Sequence, residues 1–278
     1  MSWQYLQQPR YWLLAIAFTL ITLHLGLLSQ GDDSNLTGMS YLCWLAIASL
    51  IWEKRDDLKL ESDPLSTFLG ASTIVLVLLR SLSPAGYHLR ICPFLSLVGL
   101  CLLASGWQRL HHYWRELLII NLLILAAIIA LFLKSINLPT MTAQFSSFLL
   151  WILRFDVSRE GVLLILPGGR VEVYGACSGI ESIIQIFSIA VMFLLTMVWR
   201  RWKGIVCIIV AVALGFIVNA ARVALMAWLV NSSQMEAFHY WHGGDGSLIF
   251  SGITVFLFAA FYWFILLRNQ SLTSEAGG

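Results

Sequence analysis

Charge is what this sequence has least of. Only 12% of its 278 residues are Asp, Glu, Lys or Arg, against roughly 25% in soluble domains. Hydrophobic residues make up 59%, and the mean hydropathy is +0.81. This balance excludes an ordinary soluble domain and predicts a polytopic membrane protein in contact with lipid. The net charge of +2 and the lack of a basic stripe exclude nucleic-acid binding. The five cysteines (Cys43, Cys92, Cys101, Cys177 and Cys207) are scattered and show no C-x-x-C spacing. That argues against a disulfide framework or a zinc site, and no metal or cofactor is expected. No A-x-A-like cleavage site follows the first apolar run, so that run reads as a retained helix. No repeat of 20–50 residues is visible.

What is present is a series of apolar runs near the roughly 20 residues needed to span a bilayer. Eight qualify: Tyr11–Leu28, Met39–Trp52, Leu65–Leu82, Ile91–Gly106, Leu117–Leu133, Ser178–Trp199, Gly204–Val230 and Ser247–Leu267. The expected fold is therefore an all-α polytopic membrane protein with about eight transmembrane helices. Twelve Trp and eight Tyr suit aromatic belts at the two interfaces. The positive-inside rule places both termini in the cytoplasm. Arg10, Lys54, Arg55, Lys59, Arg109, Arg115, Arg200, Arg201, Lys203 and Arg268 then all fall inside, ten of the seventeen basic residues. The "RRWK" run at 200–203 is the strongest anchor, and it sets Cys177 on the outer face.

A long external segment precedes the sixth run. "TAQFSSFLLWILRF" (142–155) reads as an amphipathic helix lying in the interface. After it, two β-prone stretches flank Pro167-Gly168-Gly169, a small extracytoplasmic hairpin that delivers the chain to Cys177. The expected organisation is one integral membrane domain over 1–278. Helices one to five occupy 11–135, the external segment 136–176, and helices six to eight 177–268.

Three polar groups stand out on the outer side. Cys177 lies at a helix start, where free N–H groups and the macrodipole lower a thiol pKa. Ser178 and Gly179 beside it let the backbone approach a bound carbonyl. Arg222 lies eight residues before Val230, about 12 Å below the outer end of its helix. An intramembrane arginine costs at least ~2.5 kcal/mol on insertion scales and marks a functional candidate. Asn219, three residues earlier, shares its face and is placed to hold the guanidinium. The third group is the loop "EAFHYWHGGDGSLIF", with His239 and His242. Glu181, four residues after Cys177, and Asp245 are candidates to orient the imidazole, and Glu181 alternatively pairs with Arg222.

A thiol, an imidazole and a guanidinium on one side of a membrane suggest thiol-dependent acyl transfer. Cys177 attacks a peptide carbonyl, His242 handles the proton, and Arg222 stabilises the oxyanion or steadies the thiolate. The contrasting classes are a transporter lined by Arg222 and Glu181, and a non-enzymatic assembly factor for surface polysaccharide or protein. Transporters often carry matched Gly/Pro-interrupted helices, and none is evident.

"ACSGI" (176–180), "NAAR" (219–222) and "HGGDG" (242–246) resemble the three signature blocks of the exosortase/archaeosortase family. The long external segment, the helix count and "FHYWH" are most similar to its cyanobacterial branch. The resemblance implies a cysteine protease or transpeptidase of the bacterial inner membrane. Its substrates would be exported proteins carrying a C-terminal sorting signal of Pro-Glu-Pro type followed by a transmembrane helix. It assigns Cys177 as nucleophile, Arg222 as catalytic arginine and His242 as catalytic histidine. His242 is preferred to His239 because its spacing to Gly246 fits the block.

Overall fold

A computed structural model of the chain describes residues 8–31, 33–82, 87–197 and 201–267. Arg200, Arg268 and the polar tail after Leu267 therefore lie outside the described residues, as do the side chains of Arg201 and Asp245. Ten α-helices and one small sheet account for most of the rest. The helices are α1 (Pro9–Leu28), α2 (Ser34–Glu53), α3 (Pro64–Ser81), α4 (His88–Ser105), α5 (Trp114–Ser135), α6 (Leu138–Ile152), α7 (Ile180–Thr196), α8 (Arg201–Asn231), α9 (Met235–His242) and α10 (Gly244–Phe261). Seven helices among the described residues are long and apolar enough to cross a membrane, and α7 is a shorter apolar helix of 17 residues. The chain is an all-α multi-pass membrane protein, and its eight apolar runs correspond to α1–α5, α7, α8 and α10.

The chain divides into two compact units, with the boundary inside α5 between Ala127 and Ile128 and with Leu195–Met197 grouped with the first. In the first unit, acidic side chains fix where helices begin. Asp33 accepts the Leu36 N–H at the start of α2, and Asp63 accepts the Ser66 N–H at the start of α3, where Pro64 occupies the first turn. Each supplies an acceptor to an end that has no intrahelical partner. Arg90 on α4 pairs with Asp33 at 3.0 Å. His24, buried in α1, lies between the Trp44 indole N–H and the Leu89 carbonyl. That leaves neither ring nitrogen without a partner.

The second unit contains everything from the end of α5 onward that bears on Cys177. Most of the segment 142–155, expected as an amphipathic helix lying in the interface, belongs to α6, which ends at Ile152. That helix begins earlier, at Leu138, and buries Leu138, Thr142, Ala143, Ser146 and Leu150, a helical stripe that packs on α8. The expected hairpin gains a third strand. β1 (Ser158–Glu160), β2 (Leu163–Leu166) and β3 (Gly169–Glu172) form an antiparallel sheet in the order β1-β2-β3. Arg159 and Glu160 hid β1 from a reading based on apolar content. Leu164 and Leu166 of β2 enter a core with Val173, Val223, Met226 and Ala227. Asn231, the last residue of α8, accepts the Gly168 N–H at the turn, which fixes the hairpin to that helix end. The histidine-bearing stretch, expected as a loop, forms the helix α9 instead.

The most deeply buried charge of the first unit is Glu116, 1% exposed and 2.7 Å from the Lys54 Nζ. One carboxylate oxygen, Oε2, accepts no hydrogen bond among the described residues. Lys54 also donates to the His112 carbonyl. Removing one member of a buried pair typically costs about 3–5 kcal/mol, less here because Lys54 is partly exposed. Lys54→Met is expected to lower the thermal midpoint in detergent by several degrees. The pair Lys54→Met with Glu116→Leu is expected to recover most of that loss.

Candidate active site

The approach to Cys177 is built by elements on three sides. β3 hands the chain through Val173 and Tyr174 into a short 3-10 turn, Gly175–Cys177, just before α7. The Cys177 N–H returns to the Tyr174 carbonyl, and the Ser178 hydroxyl donates to the Gly175 carbonyl at 2.6 Å. Thr142 of α6 donates to the Ser178 carbonyl, and Asn219 of α8 donates through Nδ2 to the Cys177 carbonyl at 2.9 Å. Asn219 therefore does not hold the guanidinium as expected. It faces the Cys177 turn, whose carbonyl precedes the helix and needs a buried donor.

Gly179 makes that approach possible. Its φ of +90° is a conformation L side chains rarely adopt, and a Cβ there would sit 2.8 Å from Asn219 Nδ2. Ser178 and Gly179 thus serve the packing of the turn, with Ser178 fully buried.

His242 ends α9, and its Nε2 lies 3.5 Å from the Cys177 Sγ and 2.9 Å from the Tyr174 hydroxyl. Phe238, one turn earlier, stacks on its ring at 5.4 Å between centroids. Gly246 closes the α9–α10 corner, where any side chain would collide with the Tyr240 backbone. His239 is exposed and edge-on to Phe238, so the structure brings His242, not His239, to the sulfur.

Arg222 is 9% exposed. It donates from Nε to the Trp241 carbonyl at 3.1 Å and from Nη2 to the His242 carbonyl at 2.6 Å. Its cation meets the negative end of α9, and its charge acts on both Cys177 and His242. Glu181 is exposed in the first turn of α7. Its charge acts on the Arg222 guanidinium.

The thiol is not activated at rest. Burial pushes the Cys177 thiol above its ordinary value of 9.0, against the opposing pull of Arg222 and of a hydrogen bond from Tyr174. The helix-start argument predicted a lowered value, but desolvation of the charged form outweighs it. His242 is held below 6.5, first by burial, then by the Arg222 and His239 charges. Both groups are therefore neutral at pH 7. The resting pair is a thiol and a neutral imidazole 3.5 Å apart, an arrangement for proton transfer during attack.

A cavity of about 320 Å³ opens onto the pair, with Val223, Met226 and Val230 of α8, Met235 and Phe238 of α9, and Arg170 to Tyr174, from β3 and the two residues after it, in its wall. Tyr174 is the site residue sequence reasoning missed. A tyrosine ending a β-prone run carries no signal of its own. The other cysteines, Cys43, Cys101 and Cys207, are buried, and Cys92 is partly buried. None has a histidine hydrogen-bonded to its sulfur among the described residues.

Gly179→Ala tests this construction. A left-handed non-glycine residue costs roughly 1–2 kcal/mol, to which the collision with Asn219 adds. The variant is expected to melt at a lower temperature than the parent and to react faster at Cys177 with a small maleimide. Unchanged melting and labelling would show that the turn has slack.

The transmembrane exosortase family model (Exosortase_EpsH) matches residues 31–259, which takes in the whole Cys177, Asn219, Arg222 and His242 constellation. No match is found among curated proteins or among solved structures. With a family match over more than half its length, a multi-pass helical fold and a cysteine facing a histidine at the end of a buried arginine's reach, the chain belongs to the transmembrane exosortase family.

Proposed function

We propose that the chain is a cysteine peptidase or transpeptidase that cleaves C-terminal sorting signals of Pro-Glu-Pro type from exported proteins. It works in the bacterial inner membrane with both termini cytoplasmic and the site on the extracytoplasmic side. Within the family, the features of its external segment and "FHYWH" favour the cyanobacterial branch. The observation that carries the reading is the 3.5 Å approach of Cys177 Sγ to His242 Nε2.

The mechanism follows from the protonation states. The sulfur attacks the scissile carbonyl as His242 Nε2 removes its proton, so no free thiolate is stored in the poorly hydrated site. The imidazolium then gives that proton to the departing amine as the C–N bond breaks and a thioester remains. Water or an acceptor amine then attacks the thioester as the imidazole takes its proton, the C–S bond breaks, and the imidazolium returns that proton to the sulfur. Arg222 acts here chiefly as a positioning residue, since two of its donors hold the carbonyls of Trp241 and His242. Its charge also favours negative charge on sulfur and on the developing oxyanion. The Tyr174 hydroxyl is a further donor beside the reacting atoms.

An acyl adduct formed with a sorting-signal peptide is expected on Cys177 by mass spectrometry. It should be absent from Cys177→Ala and retained in Cys207→Ser. Normal processing of a co-expressed substrate by Cys177→Ala would reject the reading. Loss of a general base usually lowers turnover by 10²–10⁴-fold, the range expected for His242→Ala, whereas His239→Ala is expected to stay near the parent.

The pH dependence has a definite sign. His242 must be unprotonated to accept the thiol proton, and its value is depressed. The acid limb of kcat/KM is therefore expected below pH 6.5, with activity lost as pH falls through it. An acid limb above 6.5 would contradict a partly buried base with a depressed pKa.

A further inference from the structure

Among the described residues the sheet ends on a strand with no further strand beside it. β3 pairs only with β2, in the register Leu166↔Gly169, Ile165↔Arg170, Leu164↔Val171 and Leu163↔Glu172. Pro167 and Gly168 close a two-residue turn, so Leu166 and Gly169 form a hydrogen-bonded pair and the pattern alternates from there. Gly169, Val171 and Val173 then direct their peptide groups to β2. The Val173 N–H indeed reaches the Val162 carbonyl at 2.9 Å. Arg170 and Glu172 direct theirs the other way. Among the described residues no hydrogen bond meets those outward groups.

That edge faces the cavity beside Cys177. β3 itself ends at Glu172, but the ladder runs on through the Val173 N–H and Tyr174 stays extended, and all five consecutive residues from Arg170 to Tyr174 line the cavity. Successive side chains of a strand point to opposite faces, so a surface touched by five in a row is touched by the strand's edge. At the far end of the same edge, the Tyr174 hydroxyl bonds His242, and Cys177 follows three residues later.

We propose that the free edge of β3 is the substrate-docking strand: an extended peptide segment adds along Arg170–Tyr174 as a fourth strand, which carries its scissile carbonyl to the Cys177 sulfur. This rests on the peptidase reading above and names how that site takes its substrate. Arg170 to Tyr174 spans four steps, about 13 Å, enough to pair four or five residues. Main-chain pairing gives affinity without regard to side chains. The apolar wall of Met226, Met235 and Phe238 is left to select among the side chains. The segment type proposed above suits a single free edge. Two prolines spaced two apart remove donors from one side of an extended segment, while the intervening residue keeps its N–H and C=O for β3.

The test uses the full-length protein in lipid nanodiscs and synthetic Pro-Glu-Pro-type peptides in which one backbone amide at a time, upstream of the cleavage point, is replaced by an ester. Cleavage efficiency is expected to fall about tenfold per lost hydrogen bond at alternate positions and to be unchanged at those between. A flat series, or an equal loss at every position, would overturn the docking strand. In the enzyme, Glu172→Pro removes an outward N–H that the β2–β3 ladder does not use, a position that tolerates proline. It is expected to raise KM about tenfold with little change in kcat and with Cys177 alkylated by iodoacetamide at the parent rate, while Glu172→Ala, which keeps that N–H, is expected to raise KM less. Parent kinetics in Glu172→Pro would also overturn it, and a change only in the oligomeric state of that variant would assign the edge to self-association instead. Cleavage that survives Cys177→Ala would sink the peptidase reading itself. Cleavage that needs Cys177 but ignores every ester would sink the docking strand alone.

Discussion

The guanidinium of Arg222 and the last two carbonyls of α9 make the contact on which the site depends. A buried cation must find acceptors or be expelled, and here it finds them at the Trp241 and His242 carbonyls. α9 has only eight residues and none of them is buried. A helix that short has little stability of its own, so its orientation comes from what grips it. By holding the helix end, Arg222 sets where the His242 ring lies. The same charge discourages protonation of the imidazole and eases formation of the thiolate. One side chain thus fixes the geometry of the pair, eases loss of the sulfur proton and keeps the resting imidazole neutral and free to take it, at some expense of that ring's basicity.

The sulfur is positioned by a different set of contacts, all neutral. Asn219 and Thr142 each supply one donor to a carbonyl of the Cys177–Ser178 turn, and Ser146 ties α6 to the Ala220 carbonyl of α8. Small hydroxyls and a glycine permit this close approach, whereas bulkier residues would hold the turn away from α8. α8 therefore supplies both halves of the site, Asn219 for the nucleophile turn and Arg222 for the histidine helix, three residues apart on one face.

The apolar runs made the helical architecture readable, because a bilayer demands length and low charge from every crossing segment. Cys177, Arg222 and His242 stood out because polar groups are rare in such a chain. What the sequence hid was pairwise geometry. Nothing in "NAAR" distinguishes an asparagine that serves its neighbouring arginine from one that serves a carbonyl 42 residues away. α9 was obscured by its brevity and its aromatic content, and β1 by its charged residues. Tyr174 looked like one more β-prone residue. The thiol's raised pKa was missed because a helix start argues for lowering, and the extent of desolvation is a property of packing.

The length of α8 has a bearing on where the chemistry takes place. Thirty-one residues run about 46 Å, against a hydrocarbon thickness of about 30 Å. Even a tilt of 40°, the upper end of what spanning helices adopt, leaves about 35 Å along the normal, so part of the helix must stand proud of the acyl chains. The Asn231 end carries the docked hairpin, and a protruding end there lifts Arg222 toward the headgroup layer. An arginine that looks immersed when its depth is counted along the helix then sits at the waterline, where a charge is tolerable.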